Sequence, residues 1–211
     1  MGLVKRNEWR NASCFGLELL EKTVGVIGLG AVGSKVATRL SCLGMRVLAT
    51  DPYISRDKAE NVHAKLTDLN TLLTQSDVVS VHAQVTDENK HMIGRGQLAL
   101  MKPTAYLVNT ARGVLVDENA LYEVLRDRKI AGAAMDVFQT EPPINSPFLT
   151  LDNVILTPHV ASWTADALRK EASIAVEEAR RILLGTRAMN LVNPEAFNAS
   201  DWNLSSQSRS Q

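Results

Sequence analysis

The sequence predicts an open, doubly wound α/β sheet of parallel strands, on three observations. Short apolar runs alternate with apolar residues at helical spacing from about residue 24 to residue 184, which is the rhythm of βαβ units. A glycine-rich turn stands where the first of these runs meets the first helix, and an acidic residue closes the second run. At 211 residues, 45% hydrophobic and 22% charged, the chain has enough apolar material for one large domain plus a fragment of another.

The elements follow in order. A strand is expected over 24–28, where every residue is apolar or glycine, as a strand covered on both faces requires. A helix follows over 32–43, with apolar positions at helical spacing that include Cys42 as a small core residue. A strand is expected over 46–50 and a short helix over 66–74. Strands over 77–82 and 106–109 come next, the latter introduced by Lys102-Pro103. A helix over 117–126 has Asp117 as its N-cap, because a short acidic side chain accepts from the free amides of a first turn. Small residues suggest a strand over 131–137. Val154-Ile155-Leu156 forms another that stops at Pro158, and an amphipathic helix over 165–184 is closed by Gly185. The domain reading is an interdomain remnant over 1–20, a nucleotide-binding domain over 21–193 and a polar, disordered tail over 194–211.

The glycine turn is the strongest local signal. Gly28-x-Gly30-x-x-Gly33 directly after a strand has the spacing of the dinucleotide-binding Rossmann fold. Gly28 permits a tight turn, Gly30 lets a pyrophosphate approach the backbone, and Gly33 lets the helix pack closely on the strand. The helix N-terminus at Ala31 and Val32 then presents amide groups to phosphate. Asp51 lies 18 residues after Gly33 at the end of the second strand. A carboxylate there accepts from both ribose hydroxyls of NAD and repels the 2′-phosphate of NADP. Arg56 is near enough in sequence to bear on that choice.

Ligands of open α/β sheets bind beyond the carboxyl ends of the strands. Arg112 lies just past the strand at 106–109, with Thr110 before it. Asp136 sits near the end of the strand at 131–137, Glu141 five residues on, and His159 follows the strand at 154–156. A histidine can exchange a proton with a hydroxyl while hydride moves, and a glutamate can hold its ring and favour the charged form. An arginine can grip a carboxylate with two parallel bonds. Each residue is also readable as a loop or turn residue, and for His159 position alone favours the surface-loop reading.

The runs Asn109 to Gly113 (NTARG), Ala134 to Phe138 (AMDVF), Glu141-Pro142 and Thr157-Pro158-His159 (TPH) come in fixed order after the glycine turn. Together they closely resemble the D-isomer-specific 2-hydroxyacid dehydrogenase family, which includes phosphoglycerate, glyoxylate/hydroxypyruvate and D-lactate dehydrogenases. The resemblance implies that Arg112 binds the substrate carboxylate, that His159 is the acid/base and that Glu141 is its paired carboxylate. It implies that Asp136 holds the nicotinamide carboxamide and that Ala31, Val32, Asp51 and Thr110 contact NAD. It further implies a small 2-oxoacid or 2-hydroxyacid substrate and a homodimer. In full-length members about a hundred residues, a usual domain's worth, precede the fingerprint. Here 27 residues precede Gly28, so a non-catalytic NAD-binding module stands as the alternative to an NAD-dependent dehydrogenase.

Other classes are set aside on chemistry. Lys+Arg and Asp+Glu balance at 23 each, which offers no electrostatic case for nucleic acid. No apolar run has the length of a membrane span, and the start lacks the apolar stretch of a signal peptide. Two separated cysteines, Cys14 and Cys42, fit a reducing, cytoplasmic setting. No histidine pair has metal-ligand spacing. None of Tyr53, Tyr106 and Tyr122 has a lysine four residues on, as a short-chain dehydrogenase needs.

Overall fold

Seven parallel strands in the order β3-β2-β1-β4-β5-β6-β7 form the sheet seen in a computed structural model of the chain. It describes residues 16–194 together with Asn7 and Trp9. The expected tail, apart from Pro194, and most of the expected remnant over 1–20 lie outside the described residues. So does Cys14. The chain divides into two compact units, residues 1–161 and 162–211.

The first unit carries the whole sheet. Its strands are β1 (Thr23–Ile27), β2 (Arg46–Thr50), β3 (Ala64–Leu66), β4 (Val78–Val81), β5 (Tyr106–Asn109), β6 (Gly132–Met135) and β7 (Val154–Leu156). The helices between them are α1 (Ala31–Cys42), α2 (Arg56–Glu60), α3 (Leu69–Gln75), α4 (Arg95–Leu98) and α5 (Glu118–Arg126). Strand order reverses between β1 and β4, which makes a crevice beyond their carboxyl ends.

Side chains that alternate along the strands feed two cores. On one face Val24, Val26, Val47 and Ala49 pack with Ala37 of α1 and Ala59 of α2. On the other, Ile27, Val79, Val81, Leu107 and Met135 pack with Leu72 and Leu73 of α3 and with Leu121 and Leu125 of α5. Each buried Leu or Ile contributes about 1.5–3 kcal/mol. β1 is buried along its whole length because both faces are covered, which explains its unbroken apolar run.

Three short elements were not legible in the sequence. The expected helix over 66–74 divides into β3, whose last residue is Leu66, and α3, which starts at Leu69. Asp68 caps α3 by accepting from Thr71 N at 2.9 Å. α2 and α4, of five and four residues, are too short to show a helical period. Cys42 is a further correction: it is exposed, because α1 buries only Gly33 and Ala37 and ends at this residue. The N-cap reading holds, with Asp117 accepting from Asn119 N and Ala120 N.

The second unit is built on α6 (Ala165–Leu183). Thr164 caps its start by accepting from Ala167 N, and Gly185 follows its end at φ +72°. Among the described residues no helix is long and apolar enough to cross a membrane.

Candidate active site

A cleft of about 1490 Å³ opens at the strand-order reversal. Gly28, Gly30, Ala31, Val32, Asp51, Thr110, Arg112, Glu141 and His159 all line it. Gly33 and Asp136, also singled out in the sequence, do not line it and act from beneath.

The glycine turn is shaped by close approaches. Gly28 has φ +88°, and a Cβ there would stand 2.6 Å from Ala83 N, so a side chain is excluded twice. A Cβ on Gly33 would lie 1.9 Å from Gly28 O, which shows how tightly α1 sits on the turn. At Gly30 an added Cβ would have nothing within 4 Å, leaving open space beside bare backbone at the start of α1. That is the cradle a pyrophosphate needs. Asp51 accepts from Leu29 N at 2.8 Å through Oδ2 and from Tyr53 N at 2.9 Å through Oδ1. The carboxylate therefore ties the glycine turn to the end of β2, and each oxygen keeps capacity for a further bond in a residue that lines the cleft. The residues present fit NAD. Arg56 lines a separate groove with Arg46 and Lys65, away from Asp51.

Asn109, fully buried at the end of β5, shapes the arginine turn. Its amide donates to Arg112 O at 2.9 Å and its carbonyl accepts from Ala111 N at 3.0 Å. The Arg112 side chain is exposed in the cleft and donates to Ala111 O at 2.6 Å.

His159 and Glu141, 18 residues apart in sequence, meet through Nδ1 and Oε2 at 2.8 Å. A carboxylate only accepts, so Nδ1 carries the proton of this bond and Nε2 is left for a substrate. The His159 bond and the Phe138 N–H hold the Glu141 carboxyl below its ordinary value against a smaller opposing effect of burial, and the charges of His159 and Arg112 add to this. His82, half-buried at the end of β4, shares a hydrogen bond with Ser80 at 2.8 Å. Burial lowers its pKa and favours its neutral form.

Asp136 is only 4% exposed and organises the turn that carries His159. Its carboxylate accepts from the Thr157 hydroxyl, from Val160 N at 2.9 Å and from Ala161 N at 2.8 Å. Its backbone carbonyl accepts from His159 N at 2.8 Å. These bonds hold His159 at φ +56°, a left-handed conformation that costs a side chain about 1–2 kcal/mol. Sequence reasoning missed this task. Three of about four carboxylate lone-pair positions are committed to the turn, which leaves one.

Burial alone would raise the Asp136 carboxyl, but the bonds from Thr157, Val160 and Ala161 outweigh it and hold the group below its ordinary value. A depressed folded-state pKa contributes stability above the unfolded value, and that stability is lost as pH falls through the folded one. Asp136→Asn, which turns an NH2 group toward backbone donors, is expected to cost about 2–3 kcal/mol at pH 7. Urea unfolding of both proteins should show the difference shrinking below about pH 4. A difference that persists unchanged to low pH would contradict the ionised, triply bonded carboxylate.

A crevice lined by the glycine turn, a histidine–carboxylate pair and an exposed arginine is the arrangement of a dehydrogenase's nucleotide-binding domain. The chain belongs to the D-isomer specific 2-hydroxyacid dehydrogenase family: residues 2–161 match the family's NAD binding domain. It is 46% identical over 191 residues to the D-3-phosphoglycerate dehydrogenase of Methanocaldococcus jannaschii, covering 90% of this chain and 36% of that protein. It is 44% identical over 192 residues to the glyoxylate reductase of Thermofilum pendens, covering 90% and 56%. The D-lactate dehydrogenase of Lactobacillus jensenii, solved with NAD+, superposes with a TM-score of 0.80 at 31% identity, covering 90% of this chain and 62% of that one. The chain thus spans between about a third and three fifths of the length of these relatives.

Proposed function

We propose that this chain supplies the NAD-binding and acid/base machinery of a dehydrogenase acting on small D-2-hydroxyacids. The observation that carries the reading is the Nδ1–Oε2 contact of His159 and Glu141 at 2.8 Å in the cleft that also holds Arg112 and the glycine turn. NAD, when bound, supplies a nicotinamide carbon that accepts or returns hydride. Arg112 binds the carboxylate of the 2-oxoacid and orients its carbonyl. His159 Nε2 gives a proton to the carbonyl oxygen as hydride reaches the carbonyl carbon, and takes it back in the oxidation direction. Glu141 stabilises the imidazolium between these events. Gly28, Gly30, Ala31, Val32 and Thr110 contact the dinucleotide, Asp51 holds its ribose, and Asp136 uses its remaining lone pair on the carboxamide. The same reading takes the protein to be a cytoplasmic homodimer, supported by the family resemblance and the separated cysteines.

NADH fluorescence with the purified chain, followed by a panel of glyoxylate, hydroxypyruvate and pyruvate, tests this. Binding with oxidation of NADH supports the reading and identifies the substrate class. Binding without oxidation reduces the role of this chain to holding the cofactor, and absence of binding overturns the reading. Asp51→Ala is expected to bring the affinities for NADH and NADPH within about tenfold of each other, since the repulsion of the 2′-phosphate is removed. An undiminished preference for NADH in the same titration would remove Asp51 from the ribose site.

A further inference from the structure

Two successive amides, Phe138 N and Gln139 N, tie the loop after β6 to Glu141 and to Glu118. Phe138 N donates to Glu141 Oε1 at 3.0 Å. The next amide, Gln139 N, donates to Glu118 Oε1 at 2.6 Å. The Gln139 side chain continues the attachment, its Nε2 donating to Val116 O at 3.0 Å and to His91 Nε2 at 3.1 Å. From the other side the peptide between Phe138 and Gln139 lies against Gly113, the neighbour of Arg112. A Cβ on Gly113 would stand 2.0 Å from Phe138 C and 2.3 Å from Gln139 N.

We propose that Glu118 is a positioning residue that clamps the 138–141 loop onto the Arg112–Gly113 turn and so sets Glu141 against His159. The role as a positioning residue for catalysis rests on the function proposed above; the clamp itself does not. Glu118 is suited to the task because it opens α5, whose Ala120, Leu121, Val124 and Leu125 are locked in the core. A carboxylate hung from that rigid element fixes one amide plane, and the adjoining amide fixes Glu141. Burial raises the Glu118 carboxyl, while Gln139 N–H and the nearby His91 oppose this, in keeping with a half-sheltered acceptor. Without it the Gln139 amide loses its acceptor, and the loop stays attached through the Gln139 side chain, which leaves the amide plane itself unfixed.

The test is a carbon-detected NMR titration of the Glu141 carboxyl in this chain, which needs no turnover and so fails or succeeds independently of the dehydrogenase reading. Glu118→Ala is expected to raise the Glu141 midpoint by about half a pH unit or more as its bonds to His159 and Phe138 loosen. Glu118→Asp keeps the charge at the helix start but draws the carboxylate back by one methylene, and should do the same. Glu118→Gln keeps an acceptor oxygen at full reach and should titrate as the parent does. Should Glu118→Ala fail to fold, the Asp and Gln pair decides. An unmoved Glu141 in the Asp variant, or an equal shift in the Gln variant, overturns the clamp.

Discussion

On the proposed function, His159→Ala is expected to lower the rate of 2-oxoacid reduction by about two to four powers of ten, the usual contribution of a positioned general acid. That loss corresponds to about 3–5 kcal/mol of transition-state stabilisation. It should fall on kcat and leave NADH binding near its parent value, because the glycine turn is untouched. His159→Asn is the informative companion. Asparagine tolerates the left-handed backbone that His159 adopts at φ +56°, yet donates no proton at neutral pH. The Asn variant should therefore match the Ala variant in rate and exceed it in thermal stability. Single-turnover NADH oxidation with the most active panel acid separates the steps. Full activity in either variant would assign the proton to another group.

Gly33→Ala has the second large effect, and it acts on the cofactor. The new methyl group would start 1.9 Å from Gly28 O, a backbone atom of the turn, and 3.3 Å from Val26 Cγ1. No rotamer relieves a Cβ clash with backbone, so α1 must lift or the turn must open. Overpacking of this kind costs about 1–3 kcal/mol, or about 2–4 °C in Tm for each kcal/mol. A functional loss should accompany the stability loss. The amides of Ala31 and Val32 move with the helix, and Asp51 is bonded to Leu29 N inside the same turn. NADH affinity is expected to fall at least tenfold, about 1.4 kcal/mol. Calorimetry with NADH checks it. Unchanged affinity would mean that the close fit of helix and turn is not needed for binding.

The legible parts of this protein are those whose cause is local. The strands over 46–50, 106–109 and 154–156 were read to the residue, because each is a short run set off by nearby glycine, proline or acids, although β7 is an edge strand with Ile155 exposed. Gly28, Gly30, Gly33 and Asp51 were readable because their spacing reflects the geometry of a single βαβ unit. β3 was not, since three residues carry no alternation, and α2 and α4 were not, since they barely complete a turn. Cys42 followed the helical pattern and still came out exposed, because the contact of α1 with the sheet is centred on Gly33 and Ala37.

Sequence by itself determined the sheet class, the glycine turn and the set of polar residues that end the strands, since local sterics and burial on both faces leave few other solutions. The Glu141–His159 pair was implied by the family resemblance, but only the tertiary structure decided how those residues are brought together and what Asp136 and Glu118 meet. Glu141 reaches His159 because β6 and β7 are neighbours with fixed register, and Asp136 is spent on the histidine turn because that turn folds back over the end of β6. Glu118 comes to Gln139, 21 residues further along the chain, through the packing of α5 on the sheet. Such pairings depend on angles and distances accumulated over several elements, to which no short window of residues is sensitive.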